Sequence, residues 1–281
     1  MFLDLKLNNY TPGHLLYQTE EKENFLNREK KKLINVENYL LDRQKLLDAD
    51  KIQNEIFPLV PVDVFISHSH SDQDGAIEIA LALEKIGLKA FVDSCVWGYA
   101  DELLRKIDDE FCIPDGWTSY NYSLRNRTTT NVHMILNSAL QGMIDNSELL
   151  IFLDSENSVK VGEYVNKKEF LSSPWIHSEL MFASRVRRRE RRRISSANEG
   201  FELRKAEASS DVEFAYNVPP MTKSMNFEEF VKWIKDFRRF QNFKNNAPEV
   251  VPGLNHLDRL YEQLGVEDDY LSTPRWGSGY R

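Results

Sequence analysis

Three short polar segments of this sequence each follow an apolar run and carry side chains suited to chemistry. The first is SHSHSD at 67–72, after VDVFI, and the second begins at Asp93, DSCVWGY, after LKAFV. The third is SPWIHSEL at 173–180, in which Glu179 stands four residues after Trp175. Hydroxyls, imidazoles and carboxylates in such places serve acid–base catalysis, stabilise a developing charge, or bind phosphate and sugar hydroxyls.

The two histidines of the first segment, His68 and His70, raise the question of a metal site. The HSH spacing points them apart and no pair of acidic ligands lies nearby, so we expect no metal there. The two cysteines, Cys95 and Cys112, are too few for a CxxC metal site or a disulfide framework. Because GxGxxG, GxxxxGK[ST] and GxSxG motifs are all missing, a dinucleotide fingerprint, a P-loop and a nucleophile elbow are disfavoured.

The segment SPWIHSEL predicts a helix with a well-defined start. Ser173 is suited to cap it and Pro174 suits its first position. Trp175 and Glu179 then lie on one face, about one turn apart. An acid beside an aromatic residue is common on helices, so the segment alone fits an ordinary helix surface as well as an active site.

The elements that position these segments have the pattern of a doubly wound α/β domain. PVDVFISHSH is a run typical of a strand buried on both faces, and a helix capped near Asp72 and ended by Gly87 leads to a second strand, LKAFVD. A strand, a helix and a strand within about 30 residues indicate a parallel sheet with a right-handed crossover. Ligands of such sheets bind beyond the carboxyl ends of the strands, which is where the three polar segments fall. The predicted strands are 61–70, 88–93, 148–154 and 212–219.

The sequence before the sheet predicts a long helix or a helical hairpin over 19–57. Its stripe of Leu26, Leu33, Val36, Leu40 and Leu47 is helical in spacing. We expect residues 1–60 to form a helical extension, either packed on the body of the protein or forming a short coiled coil for self-association.

Two insertions and a C-terminal region complete the predicted organisation. The α/β domain spans 61–220, with insertions at about 111–130 and 155–172. The seven arginines of 185–193 either extend the helix that begins at Pro174 or form an anion or partner site. Residues 221–281 contain an amphipathic helix, FEEFVKWIKDFRRF, and a loop-like tail from Asn245.

Composition sets limits on partners and location. The net charge of −8 argues against wholesale nucleic-acid binding, and no apolar run approaches the roughly 20 residues of a membrane span. The start, MFLDLKLNNYTPGH, lacks the pattern of a secretory signal. We therefore expect a cytoplasmic protein without membrane contact.

Taken together, VDVFISHSHSDQD, LKAFVD, ELLIFLDS and SPWIHSEL resemble the Toll/interleukin-1 receptor (TIR) domain, over roughly 61–220. The resemblance implies a flavodoxin-like fold with a parallel central sheet. Many TIR domains cleave the nicotinamide–ribose bond of NAD+, and the segment from Trp175 to Glu179 resembles their WxxxE-type motif. Glu179 then corresponds to the catalytic glutamate, with neither a metal nor an added cofactor.

The resemblance also implies roles for the other candidate residues. Ser67 and His68, with backbone N–H groups, would bind phosphate or ribose. Asp93 would also bind the substrate, and it opens the loop at 93–102 that corresponds to the BB loop of TIR domains. Trp97 or Trp175 would stack on the nicotinamide ring, unless each packs in the core.

Three functions follow as hypotheses from these patterns. The first is a bacterial antiphage enzyme that consumes NAD+, is activated by TIR–TIR assembly, and either depletes NAD+ or makes an ADP-ribose-derived signal for a separate effector protein. The second is a non-enzymatic TIR adaptor, for which Glu179 is dispensable. The third is an enzyme like a nucleoside deoxyribosyltransferase, whose glutamate is a nucleophile toward deoxynucleosides.

Overall fold

The structure, a computed structural model, describes residues 1–33, 62–161, 169–189, 215–241 and 252–266, together with Ala49 and Gln53. The stripe of the predicted 19–57 helix beyond Leu33 lies outside the described residues. The strands are β1 (Leu3–Asn8), β2 (Val64–Ser67), β3 (Ala90–Val92), β4 (Leu149–Leu153), β5 (Val159–Val161), β6 (Glu169–Leu171), β7 (Tyr216–Asn217) and β8 (Lys223–Asn226). The α-helices are α1 (Thr19–Leu33), α2 (Gln73–Lys85), α3 (Ser94–Phe111), α4 (Tyr122–Asn146), α5 (Pro174–Arg185), α6 (Phe227–Gln241) and α7 (Pro252–Gln263).

Five parallel strands form the central sheet in the order β3-β2-β4-β1-β8. Counted from β2, this is the flavodoxin order 2-1-3-4-5, with the N-terminal strand in the fourth place. The predicted α/β fold with a parallel, flavodoxin-like sheet is therefore confirmed. The strands β2 and β4 lie side by side while their connections leave on opposite faces, so the switch point of the sheet lies between them.

Both faces of the sheet are covered by apolar layers. On β4, Leu149, Ile151 and Leu153 face a cluster built with α2, α6 and α7, whereas Leu150 and Phe152 face a cluster built with α3, α4 and α5. Strands buried on both faces read as continuous apolar runs, which is why β2 and β4 were visible in the sequence.

The N-terminal strand β1 corrects the prediction that 1–60 is a helical extension outside the sheet. Leu3–Asn8 pairs with β4 on one side and β8 on the other. Its alternating pattern is typical of a strand with one solvent-exposed face. Asp4 is nevertheless fully buried and accepts a hydrogen bond from the backbone N–H of Thr222 (2.8 Å). The polar residue is tolerated because its partners come from distant parts of the chain.

The strand Tyr216–Asn217, which lies within the predicted strand 212–219, is not in the central sheet. It forms a small antiparallel sheet with β5 and β6, which arise from the predicted insertion at 155–172. The fifth parallel strand is instead β8, whose sequence KSMN carries too few apolar residues to be recognised.

Three boundaries also differ from the prediction. Helix α3 starts at Ser94, so the region 93–102 is helical rather than a loop, and α4 already begins at Tyr122, inside the predicted insertion 111–130. Helix α5 ends at Arg185, and the described part of the arginine run, up to Arg189, does not continue it. Arg188 and Arg189 leave the helix because each contacts a carboxylate, Asp4 and Asp145 respectively.

The described part of α1 packs on the body of the protein. Phe25 is buried in the cluster that covers α2, and Lys22 pairs with Glu78 (2.6 Å) on α2. Within the described ranges, no helix is both long and apolar enough to cross a membrane.

Helix α7 corrects the prediction of a loop-like tail from Asn245. A Cβ atom added to Gly253 would lie 2.7 Å from the carbonyl oxygen of Ile86, at the end of α2. Because this obstacle is backbone, we expect Gly253→Ala to destabilise the protein by about 1–3 kcal/mol despite alanine's better helix propensity.

Gly142, in α4, provides the matched control for this substitution. An added Cβ atom there meets nothing within 4 Å, so Gly142→Ala should stabilise by roughly 0.5–1 kcal/mol. Urea denaturation of both variants tests the pair, and equal effects of the two substitutions would contradict close packing of α7 on α2.

Candidate active site

Glu179 lies on the buried face of α5. The helix starts as predicted, with the Ser173 hydroxyl accepting a hydrogen bond from the Ile176 N–H (3.3 Å) and Pro174 in the first turn. Leu180, next to Glu179 in sequence, is fully buried, and Glu179 itself is only 1% exposed. An acid therefore occupies a position that packing alone would give to an apolar residue.

Ser67 links Glu179 to the switch point of the sheet. It is the last residue of β2, fully buried, and its hydroxyl donates a 2.6 Å hydrogen bond to Oε2 of Glu179. In parallel α/β sheets the crevice at the switch point is where ligands bind. The first and third polar segments of the sequence thus meet where the fold is most suited to a site.

His68 and Asp93 form the second part of the site. His68 Nδ1 lies 2.9 Å from Oδ1 of Asp93 and 3.2 Å from the carbonyl oxygen of Ile66. Its Nε2 lies 2.8 Å from the hydroxyl of Ser94, the first residue of α3. Both groups facing Nδ1 are acceptors, so we assign the proton of the neutral ring to Nδ1.

The two carboxyl groups are electrostatically linked. Burial raises the pKa of Glu179 well above its ordinary value, and the negative charge of Asp93 raises it further, while the hydrogen bond from Ser67 works in the opposite direction. A side-chain hydrogen bond between Glu179 and Asp93 also raises the pKa of Glu179. A proton held by Glu179 removes the desolvation penalty of a second buried negative charge.

The causes that shift the pKa of His68 differ from those that shift the pKa of Glu179. Burial disfavours its charged form, but the charge and hydrogen bond of Asp93 and the carbonyl of Ile66 outweigh it, so the pKa of His68 is raised. The pKa values of both groups are therefore raised, that of Glu179 mainly by burial and that of His68 by the neighbouring Asp93.

The remaining candidates of the sequence lie apart or outside the described side chains. Trp175 is half-buried and packs edge-on against His133 of α4, with ring centroids 5.5 Å apart. The side chain of Trp97 lies outside the described ones. His70 is exposed while His68 is buried, and within the described part of the chain no group of three or more His, Cys, Asp or Glu side chains could hold a metal ion.

Sequence reasoning missed a second polar cluster beside the switch point. The hydroxyl of Ser155, after β4, donates to Oδ2 of Asp72 (2.5 Å), and the side-chain amide of Asn157 donates to Oδ1 (2.7 Å). Asp72 precedes α2 and thereby ties that helix to the end of β4. The signal was present as a repeat: FVDS and FLDS place Ser94 and Ser155 at equivalent positions after β3 and β4.

Comparison of the chain with protein-family models, curated proteins and solved structures found no match. The chemistry of the site is therefore argued from its own residues.

Proposed function

We propose that this protein is an NAD+ glycohydrolase or cyclase that cleaves the nicotinamide–ribose bond with Glu179 as its catalytic carboxylate. The observation that carries the proposal is a buried glutamate held by Ser67 at the switch point of a parallel sheet, beside Asp93. The TIR-like motifs of the sequence support the same reaction.

The reaction suits a site with one critical carboxylate. Nicotinamide leaves as a neutral molecule, so the leaving group needs no proton from a general acid. The transition state resembles an oxocarbenium ion, and a carboxylate near the ribose stabilises its positive charge. Ser67 fixes one oxygen of Glu179, and we expect the other oxygen to bind the ribose hydroxyls once NAD+ is bound.

The charge of the substrate suits a glutamate whose pKa is raised. The nicotinamide ring of NAD+ is a cation, and a cation placed beside the Glu179–Asp93 pair favours the ionised carboxylate. Binding of NAD+ then lowers the pKa of Glu179 and increases the fraction of the charged form that catalysis requires. Because Glu179 is 1% exposed, the neighbouring elements must separate for NAD+ to enter, and we propose that self-association drives this opening.

The decisive experiment measures nicotinamide released from NAD+ by the purified full-length chain and by Glu179→Ala, across a range of protein concentrations. Products identified by mass spectrometry distinguish ADP-ribose from cyclic or conjugated forms. Equal turnover by both proteins would refute the assignment of Glu179. Absence of turnover at every concentration, with or without lysate of phage-infected cells, would favour a TIR adaptor, and cleavage of deoxynucleosides but not NAD+ would favour a deoxyribosyltransferase-like enzyme.

We further propose that the protein acts in the cytoplasm and that its product signals to a separate effector.

The dependence of kcat/KM on pH provides a further prediction. Glu179 must be ionised, so activity should rise with pH through the pKa of Glu179 in the free enzyme, above the ordinary value of 4.5. In Asp93→Asn the repulsion disappears while burial remains. The acidic limb should therefore move to lower pH without reaching the value of an exposed glutamate.

Asp115→Asn, an exposed aspartate in the loop after α3, is the control and should leave the limb where it is. If the acidic limb of the pH profile of kcat/KM stays in place or moves to higher pH in Asp93→Asn, this would contradict the coupling of the two carboxyl groups.

A further inference from the structure

Ser94, His68 and Asp93 have the connectivity of a serine-nucleophile triad. The hydroxyl of Ser94 lies 2.8 Å from Nε2 of His68, and Oδ1 of Asp93 lies 2.9 Å from Nδ1 of the same ring. Nδ1 also faces the carbonyl oxygen of Ile66, so Nε2 of the neutral ring is the nitrogen that accepts the serine proton. This order of atoms, hydroxyl to imidazole to carboxylate, is the one that activates serine in hydrolases.

The backbone context of Ser94 also suits a nucleophile. The serine stands between the parallel strand β3 and the helix α3, at the first helical position, with Asp93 as the N-terminal cap. The first N–H groups of a helix have no acceptor within the helix and carry the positive end of its dipole. They are the donors that stabilise an oxyanion formed at the adjacent serine. No GxSxG motif marks this turn, which explains why a motif search overlooks it.

We propose that Ser94 is an activated serine nucleophile that carries out acyl transfer on a small ester, with His68 as its general base. Ser94 Oγ attacks the ester carbonyl and its proton passes to Nε2 of His68. The tetrahedral intermediate breaks its C–O bond to the alcohol, which leaves with the proton from His68. Water then attacks the acyl-Ser94 ester with the same base, releases the acid and restores the hydroxyl.

Asp93 has a positioning role in this step. Its carboxylate lies 2.9 Å from Nδ1, and its negative charge stabilises the imidazolium that forms when Ser94 loses its proton. All three side chains are at most 5% exposed, so water competes little for these contacts. His68 and Asp93 belong to both candidate sites, but the chemistry of this step is independent of NAD+ cleavage, since it uses neither Glu179 nor NAD+.

The test treats the purified full-length chain with a fluorophosphonate and maps the adduct by peptide mass spectrometry. We expect the phosphonyl group on Ser94, with a labelling rate that increases as His68 loses its charge. His68→Gln should slow labelling by about 10²-fold or more, because general-base assistance contributes 10²–10⁴-fold. The rate of hydrolysis of p-nitrophenyl acetate, a small ester, should be lower in both His68→Gln and Ser94→Ala than in the wild type.

Ser147→Ala is the matched control. Ser147 is buried like Ser94, but its hydroxyl donates to the Ile144 carbonyl (2.8 Å) instead of facing a histidine. The control variant should label at the wild-type rate. No adduct on Ser94, in conditions that label a known serine hydrolase, together with no ester hydrolysis above the buffer rate, would overturn the proposal. Equally fast labelling of His68→Gln would overturn the role of His68.

The outcome is separable from that of the proposed NAD+ reaction. Labelling of Ser94 in a protein that never consumes NAD+ supports the serine nucleophile and refutes the NAD+ reaction alone. Glu179-dependent NAD+ cleavage in a protein whose Ser94 is never labelled does the reverse.

Discussion

Glu179→Gln is expected to reduce kcat/KM for NAD+ by about 10²–10³-fold while making the folded protein more stable. Removal of a single preorganised group that stabilises transition-state charge has an effect of this size. Glutamine has the same shape, can still accept the 2.6 Å hydrogen bond from Ser67, and cannot ionise. The loss should appear in kcat and kcat/KM alike, because the interaction with the oxocarbenium ion exists only in the transition state.

The gain in stability follows from the raised pKa of Glu179. In the unfolded chain the carboxyl ionises near its ordinary pKa, whereas the folded protein resists ionisation, so the wild type loses stability as pH rises above that value. The glutamine side chain does not ionise, so the variant does not lose stability in this way as pH rises. We expect Glu179→Gln to unfold with a free energy about 0.5–2 kcal/mol higher at neutral pH, and with little difference below pH 4, where both states of the wild type are protonated.

Glu148→Gln is the matched control for both measurements. Glu148 is also a buried glutamate that accepts a hydrogen bond from a hydroxyl, that of Tyr261 (3.0 Å), but it precedes β4, at the opposite end of the strand from the candidate site. It should retain NAD+ turnover. Thermal unfolding across pH checks the stability of both variants, and a Glu179→Gln protein that is less stable than wild type at neutral pH would show that the glutamate is a structural anion instead.

The sheet could be predicted wherever its strands are buried on both faces. Val64–Ser67 and Leu149–Leu153 are continuous apolar runs because helices cover both sides of each strand. Leu3–Asn8 and Lys223–Asn226 contain polar residues whose partners are far away in sequence, such as Thr222 for Asp4. The alternation of LDLKLN in β1 is a local strand signal that was overlooked, whereas nothing local distinguishes KSMN of β8 from a loop.

The candidate site was predictable as a set of segments, but its contacts were not. Parallel strands bring their carboxyl ends to one edge, so Ser67, Asp93 and Glu179 could be placed together from the topology alone. The pairing of Ser67 with Glu179, and of His68 with Asp93 and Ser94, depends on side-chain directions that strand order does not fix. The start of α3 at Ser94, where a loop was expected, is what brings the Ser94 hydroxyl to His68.

Arg188 links the arginine run at 185–193 to the N-terminal strand β1, and its substitution is expected to have a large effect on stability. Its guanidinium contacts the carboxylate of Asp4 and also donates to the hydroxyl of Thr222 (3.2 Å). The side chains of Arg188 and Asp4 are 7% and 0% exposed. Removal of one partner from a buried pair leaves the other without an opposite charge, which destabilises by about 3–5 kcal/mol.

We therefore expect Arg188→Gln to lower the free energy of unfolding by about 3–5 kcal/mol, measured by urea denaturation, because Asp4 is buried on β1, which pairs with β4 on one side and β8 on the other. The neighbouring Arg189 is the matched control: it contacts Asp145 but is 49% exposed. Exposed pairs contribute roughly 0–1 kcal/mol, so Arg189→Gln should change stability little. Equal effects of the two substitutions would mean that the burial of the Arg188–Asp4 pair does not determine its contribution, and a neutral Arg188→Gln would contradict the role of this pair in holding β1 inside the sheet.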